Sequence, residues 1–212
     1  VLSVRVAGEP LDYLLWEALD FKTTFANQEP DLEHLAIGML VLEGVVKDIS
    51  TANWDGLLEA AMSELGHEGT GYQVTVTGKD LQGPEACATL YKFHGCALRS
   101  IENEEEYRPL LVARDLQIIG WIGNETFRVV REQLHALIQR KRTLMIGLSA
   151  QDSNIKTLFG GIGEGKVWQW NDCPTPIVIS SLSIGAHQRT LLGVTYGEEA
   201  FDAHQDDILD RA

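Results

Sequence analysis

Three short polar segments leave strand-like apolar runs, and each carries side chains able to bind a small ligand or move a proton on it. Ile49-Ser50-Thr51-Ala52-Asn53-Trp54-Asp55 follows Gly44-Val45-Val46, and Phe93-His94-Gly95 follows Ala88-Thr89-Leu90-Tyr91. Gly147-Leu148-Ser149 follows Leu144-Met145-Ile146. An imidazole titrates near neutral pH and can take a proton from a hydroxyl or a water. An Asn amide both donates and accepts, a carboxylate accepts, and a glycine lets backbone approach a ligand closely. Residues at the carboxyl ends of strands in an open α/β sheet face the crevice where nucleotides bind. Together the three segments point to a ligand of that kind; singly, none would.

Each residue has a plainer rival reading. His94 can be a hydrogen-bonded histidine at a strand end. Asn53 and Asp55 can cap the helix that follows them, a task both types perform well. Gly147 can be an ordinary loop glycine, and Asp152 reads as an N-cap rather than a ligand. His34, His67 and His187 sit in no constellation.

The elements that must position these segments alternate between helix and strand. Leu32, Leu35, Ala36, Met39 and Leu40 recur at helical spacing, so a helix is predicted over 31–42, entered after Glu29-Pro30 and ended at Gly44. A short amphipathic stretch precedes it at 12–19. A strand at 45–50 leads to a helix marked by Leu57, Leu58, Ala61, Met62 and Leu65. Strands are predicted at 72–77 and 89–93, with a turn at 78–84 between them. The run 101–107 holds four Glu and is expected on the surface. Phe127, Val130, Leu134, Leu137 and Ile138 mark an amphipathic helix closed by Arg140-Lys141-Arg142, which suits its negative carboxyl end. A strand at 143–146 and a helix around Ile155, Leu158 and Phe159 follow. Beyond them the reading is a flexible loop at Gly160-Gly161-Ile162-Gly163-Glu164-Gly165, strands at 167–170, 177–180 and 191–194, and a solvent-facing acidic end from Glu198. This alternation predicts an α/β fold: a parallel sheet with helices on both faces.

Composition bounds the function classes. The chain has 212 residues, 44% of them hydrophobic, enough for one substantial core. Its formal charge is −14, from 31 acidic and 17 basic residues, which disfavours binding a phosphate backbone by this chain alone. No apolar run approaches the roughly 20 residues of a membrane span, and no secretory leader is visible. Cys87, Cys96 and Cys173 form no C-x-x-C, so neither a zinc ribbon nor a dithiol redox pair is encoded. They are read as buried small hydrophobes in a reducing, cytoplasmic compartment.

The polar segments also carry a resemblance. Thr51-Ala52-Asn53-Trp54-Asp55, followed by Leu57-Leu58-Glu59, resembles the T-x-N-x-D segment of sirtuin-like proteins. Tyr91-Lys92-Phe93-His94-Gly95 is similar to their strand ending in a His-Gly pair. The run from Gly147 to Asn154 resembles the G-x-S-x-x-D-x-N segment of the bacterial NAD-hydrolysing branch, many of whose members act in anti-phage defence. The resemblance implies a Rossmann-like NAD-binding domain, assigned to residues 1–196 with 197–212 as an acidic C-terminal tail. It implies NAD as substrate, with catalytic roles for His94 and Asn53 and nucleotide contacts at Thr51, Asn53, Asp55, Gly147 and Ser149. His94 would be the base at the nicotinamide ribose. Asn53 would hold the ribose or the attacking water, and Asp55 would accept from the carboxamide. A homo-oligomer or a partner protein is expected.

Two departures shape this expectation. The four-cysteine zinc module of protein deacylases is absent, so no zinc is expected and NAD hydrolysis is favoured over deacylation. The family's Gly-Ala-Gly-x-Ser phosphate loop is also missing. Its nearest counterpart, Val6-Ala7-Gly8-Glu9-Pro10, places a carboxylate where phosphates would lie. Two readings follow: the first strand and phosphate loop lie upstream of Val1, which is preferred, or the domain keeps the fold without nucleotide binding. The alternatives to NAD hydrolysis are thus a catalytically inactive interaction and assembly module and, after it, an NAD-dependent deacylase.

Overall fold

Parallel strands cannot be joined by a tight turn, so a chain of alternating strand and helix signals must cross over between strands. The computed structural model, which describes residues 12–18, 20–165, 177–180 and 183–212, has this arrangement. The fold is α/β, with parallel sheets and many helices. The described residues form two compact units. One draws on residues up to Gln117 and on Gly123–Val130; the other draws on Ile118–Ile122 and Arg131–Ala212.

In the first unit a π-helical turn at Leu14–Ala18 leads into α1 (Phe21–Ala26) and α2 (Leu32–Leu42). Asp31 caps α2, its carboxylate accepting from the amides of Glu33 at 3.0 Å and His34 at 3.2 Å. Then come β1 (Asp48–Thr51), α3 (Leu57–Glu64), β2 (Tyr72–Thr75) and β3 (Ala88–Lys92). The three strands pair in the order β1-β3-β2, all parallel, so β3 is central. Thr51 stands level with Lys92, and Thr75 with Tyr91. Val41 of α2, Met62 of α3 and Ala88 of β3 are buried together, which anchors both helices to the sheet. α4 (Ala97–Glu102) and α5 (Glu104–Tyr107) carry the glutamate run. Glu102 and Glu105 are exposed as expected, but Tyr107 is buried and donates to Asp80 Oδ1 at 2.6 Å. The other oxygen of Asp80 accepts from the amides of Val76 at 2.9 Å and Thr77 at 2.7 Å, closing the turn after β2.

α6 (Asp115–Trp121) and α7 (Arg128–Arg140) follow, and Val130 and Leu134 of α7 are buried as its pattern predicts. In the second unit β4 (Thr143–Ile146) pairs in parallel with β5 (Ile177–Ser180). α8 (Ser153–Gly165), α9 (Ala186–Tyr196) and α10 (Glu198–Arg211) complete it.

Two expectations fail here. The glycine-rich run from Gly160 to Gly165 is the end of α8, not a loop. Residues 191–194 are helix α9, not a strand, with Leu191 and Leu192 fully buried. A short apolar run does not separate a buried helix from a strand, and the threonines on either side return their hydroxyls to the helix. Thr190 Oγ1 donates to the Ala186 carbonyl at 3.0 Å, and Thr195 Oγ1 to that of Leu191 at 2.7 Å. The acidic end is helical: Phe201 and Ile208 are buried, while Asp202, Asp206, Asp207 and Asp210 face solvent. The predicted strand at 167–170 and the Val6–Pro10 segment lie outside the described residues.

The 12–18 segment is tied to its unit by Arg108. Its guanidinium donates to both oxygens of Asp12, at 2.6 and 3.0 Å, and to Glu104 at 2.5 Å, with Trp16 stacked 4.7 Å beneath it. The hydrogen bond from Arg108 holds the Asp12 carboxyl below its ordinary range. A depressed folded pKa contributes stability that is complete above the usual carboxylate value, near pH 4, and lost as pH falls through the folded value. Arg108→Ala is therefore expected to cost about 1–2 kcal/mol at pH 7 and less at pH 3, measured as a narrowing gap between parent and variant denaturant midpoints.

Candidate active site

Two of the three segments emerge side by side in the first unit. β1 and β3 are neighbours, and the register of Thr51 against Lys92 makes their carboxyl ends level. The loops beyond them are stitched together. The Trp54 indole N–H donates to the His94 carbonyl at 2.9 Å, and the Trp54 carbonyl accepts from the Ala97 amide at 2.9 Å. The same His94 carbonyl accepts from Val112 at 2.9 Å. Trp54 is itself held in an aromatic group, with ring centroids 6.2 Å from Phe21 and 6.3 Å from Phe25.

Within this frame the candidate residues differ. His94 is only 5% exposed, with its ring edge-on to Phe93 at 4.6 Å. Thr51 is half-buried, and its hydroxyl accepts from the Asn53 amide at 3.0 Å, which turns the chain immediately after the strand. Asn53 is exposed, and its side chain makes no hydrogen bond to the described residues. Asp55 accepts from the Leu57 amide at 3.3 Å, the capping role its type suggests, at the start of α3. Gly95 has φ of +102°, and a Cβ there would lie 3.0 Å from the Leu110 carbonyl oxygen and the Leu111 Cα. Only glycine allows both that backbone and that approach.

A buried ion pair underlies the loop, and neither partner was singled out in the sequence. Lys92, 1% exposed on the central strand, pairs with Glu59 Oε1 of α3 at 2.5 Å. Its ammonium also donates to the Asp55 carbonyl. The available signal was a lysine inside an apolar strand, between Tyr91 and Phe93. Tyr72 lies close enough to Glu59 that burial, and then that carboxylate, push its hydroxyl up to about 12.

Gly147 and Ser149 belong to the second unit, at the carboxyl end of β4. Gly147 has φ of +63°, and the space a Cβ would occupy is open to 4 Å. Ser149 is exposed. The buried Ala150 is left-handed at φ of +54°, a strained turn of the kind that clusters at functional loops. Asp152 Oδ1 accepts from Asn154 at 2.7 Å, so it caps α8 as its sequence position suggests. Gln188 of α9 holds this loop, donating to the Leu148 carbonyl at 2.9 Å.

Two clefts open in the first unit, neither of them lined by Thr51, Asn53 or His94. One, of about 420 Å³, is bounded by Leu111, Arg108 and Arg114; the other, of about 240 Å³, by Gly56, Glu59 and Leu98. Among the described residues no three His, Cys, Asp or Glu side chains group to hold a metal ion, and no helix is long and apolar enough to cross a membrane.

The SIR2-like domain profile matches residues 47–166, from the residue before β1 to the residue after α8, and so takes in all three polar segments. The match covers more than half of the chain, which therefore belongs to the SIR2-like family, a family that uses NAD and has a Rossmann-like α/β fold. No curated protein matches it.

Trp54→Phe keeps the packing but loses the bond to the His94 carbonyl, and should cost about 1 kcal/mol in chemical denaturation. Gly95→Ala should cost about 2–3 kcal/mol or more, because strain and overlap with backbone add.

Proposed function

We propose that this chain is an NAD glycohydrolase-type SIR2-like domain, cleaving NAD with water to nicotinamide and ADP-ribose. The observation that carries the reading is the pairing of the two first-unit segments: an exposed Asn53 amide and His94 leave adjacent parallel strands, and one indole joins their loops. Such a strand end is where an α/β sheet offers polar groups to a nucleotide. Breaking the glycosidic bond leaves an oxocarbenium-like ribose, so the protein must hold that ring and direct water to it. Asn53 would present its amide to the ribose or the water, and Thr51 would keep that amide turned outward. His94 would accept the proton. Asp55, with one oxygen engaged in capping, has the other to offer to a carboxamide N–H. Gly147 and Ser149 would contact the nucleotide through backbone and hydroxyl. The reading carries with it a cytoplasmic setting, self-assembly or a partner protein, and a role in bacterial anti-phage defence.

One observation favours a second reading. His94 is almost wholly buried and edge-on to Phe93, as a structural histidine would be. On that reading the domain is an interaction module. Calorimetric titration separates the two: heat on mixing with ADP-ribose supports the enzyme, and no heat at millimolar ligand supports the module. For the enzyme, Asn53→Ala and His94→Ala should each lower nicotinamide release by about 100-fold or more. A His94→Ala protein that cleaves NAD at the parental rate would sink the mechanism.

A further inference from the structure

We propose that Lys92 is a positioning residue for the strand-end site, setting where Asn53 stands relative to His94 by gripping the Asp55 carbonyl. The inference rests on the reading of these loops as an NAD-cleaving site.

The main chain of residues 53–56 has few bonds of its own and is held from outside. Asn53 leans on the Thr51 hydroxyl, the Trp54 carbonyl takes the Ala97 amide, and the Gly56 amide donates to Gln28 Oε1 at 3.2 Å. The Asp55 carbonyl takes the Lys92 ammonium, the one charged donor among these ties, and a hydrogen bond from a charged donor is roughly twice as strong as a neutral one. Lys92 is also placed to couple the two loops: it stands opposite Thr51 in the ladder and two residues before His94 on the same chain.

An ion pair alone does not explain this lysine. A buried Lys–Glu pair contributes little that two apolar side chains of similar volume would not, and often less. What an apolar pair cannot supply is a donor for the Asp55 carbonyl. Glu59 is read accordingly: it keeps Lys92 charged and extended inside the sheet, while the tie from Lys92 to the loop does the positioning.

The test separates packing from positioning. In K92M/E59M the buried charges leave together, so the melting temperature should stay within about 5 °C of the parent. Exchange of the amides of residues 53–57, followed by hydrogen–deuterium mass spectrometry, should nevertheless quicken by about tenfold or more. For NAD cleavage, kcat should fall about tenfold with KM within about threefold, because a displaced Asn53 costs orientation rather than binding. E59Q keeps the Lys92 donor, so its loop exchange should stay within about threefold of the parent even where the protein is less stable. If the apolar pair does not fold, K92M/E59Q, which also removes the donor, carries the same measurements. Parental exchange and parental kcat in the folded double variant would overturn the proposal, as would loop exchange in E59Q as fast as in the double variant. If the parent chain releases no nicotinamide from NAD, the functional reading falls, and the exchange data alone decide whether Lys92 positions the loop.

Discussion

An ammonium buried in the central strand of a parallel sheet is the constraint around which the first unit is arranged. Removing Lys92 from water costs several kcal/mol unless partners replace the lost hydration. The partners lie in one direction, beyond the carboxyl end of β1. Glu59 is in the first turns of α3, and the Asp55 carbonyl is in the loop before it. The helix must therefore start over the end of β3, and the chain leaving Thr51 has only residues 52–56 in which to turn. That short path accounts for the Thr51 hydroxyl bond, the capping bond of Asp55 and the outward Asn53. A longer loop would satisfy the lysine less well and leave the amide less defined.

The second constraint is aromatic. Trp54 in that loop joins Phe21 and Phe25, while Trp16 stacks on Phe21 at 4.7 Å. The group packs with Ala97 and Leu111, both of which follow the His-Gly turn in sequence. Water is thus excluded from one side of both loops, and hydrogen bonds such as that from Trp54 to His94 gain strength in the drier surroundings. Arg108 extends the same group, its guanidinium lying over Trp16 and gripping Asp12. The loops are therefore fixed from within, by the lysine, and from the side, by the aromatic rings.

Much of this was legible in the sequence, and the failures share a cause. α2, α3, α7 and the five strands fall close to their predicted places because periodicity and caps agreed there. The 191–194 run failed because Leu191-Leu192-Gly193-Val194 is too short to show a period, and only tertiary burial of Leu191 and Leu192 decides for helix. The 160–165 run failed because each of its four glycines disfavours helix by roughly 1 kcal/mol, and packing of α8 against α9 overrides it. At the candidate site, the types at Thr51, Asn53 and His94 were readable, but their company was not. That Trp54 donates to His94 across 40 residues of sequence, or that Lys92 reaches Asp55, follows from strand order and register, which no local pattern encodes.

The motif acids illustrate how such a site divides its labour. Asp55 and Asp152 each stand just before a helix, and each accepts from an amide two residues on. Capping is thus enough to explain a carboxylate at both positions, and neither needs a ligand to account for its type. Capping cannot explain Asn53: it lies too early to cap α3, its side chain bonds nothing among the described residues, and it faces solvent. The loop draws a lysine, a tryptophan and a threonine hydroxyl into its own geometry and leaves Asn53 exposed. Among the motif residues, then, Asn53 is the one that neither caps a helix nor bonds another side chain among the described residues, while His94 in the neighbouring loop is buried.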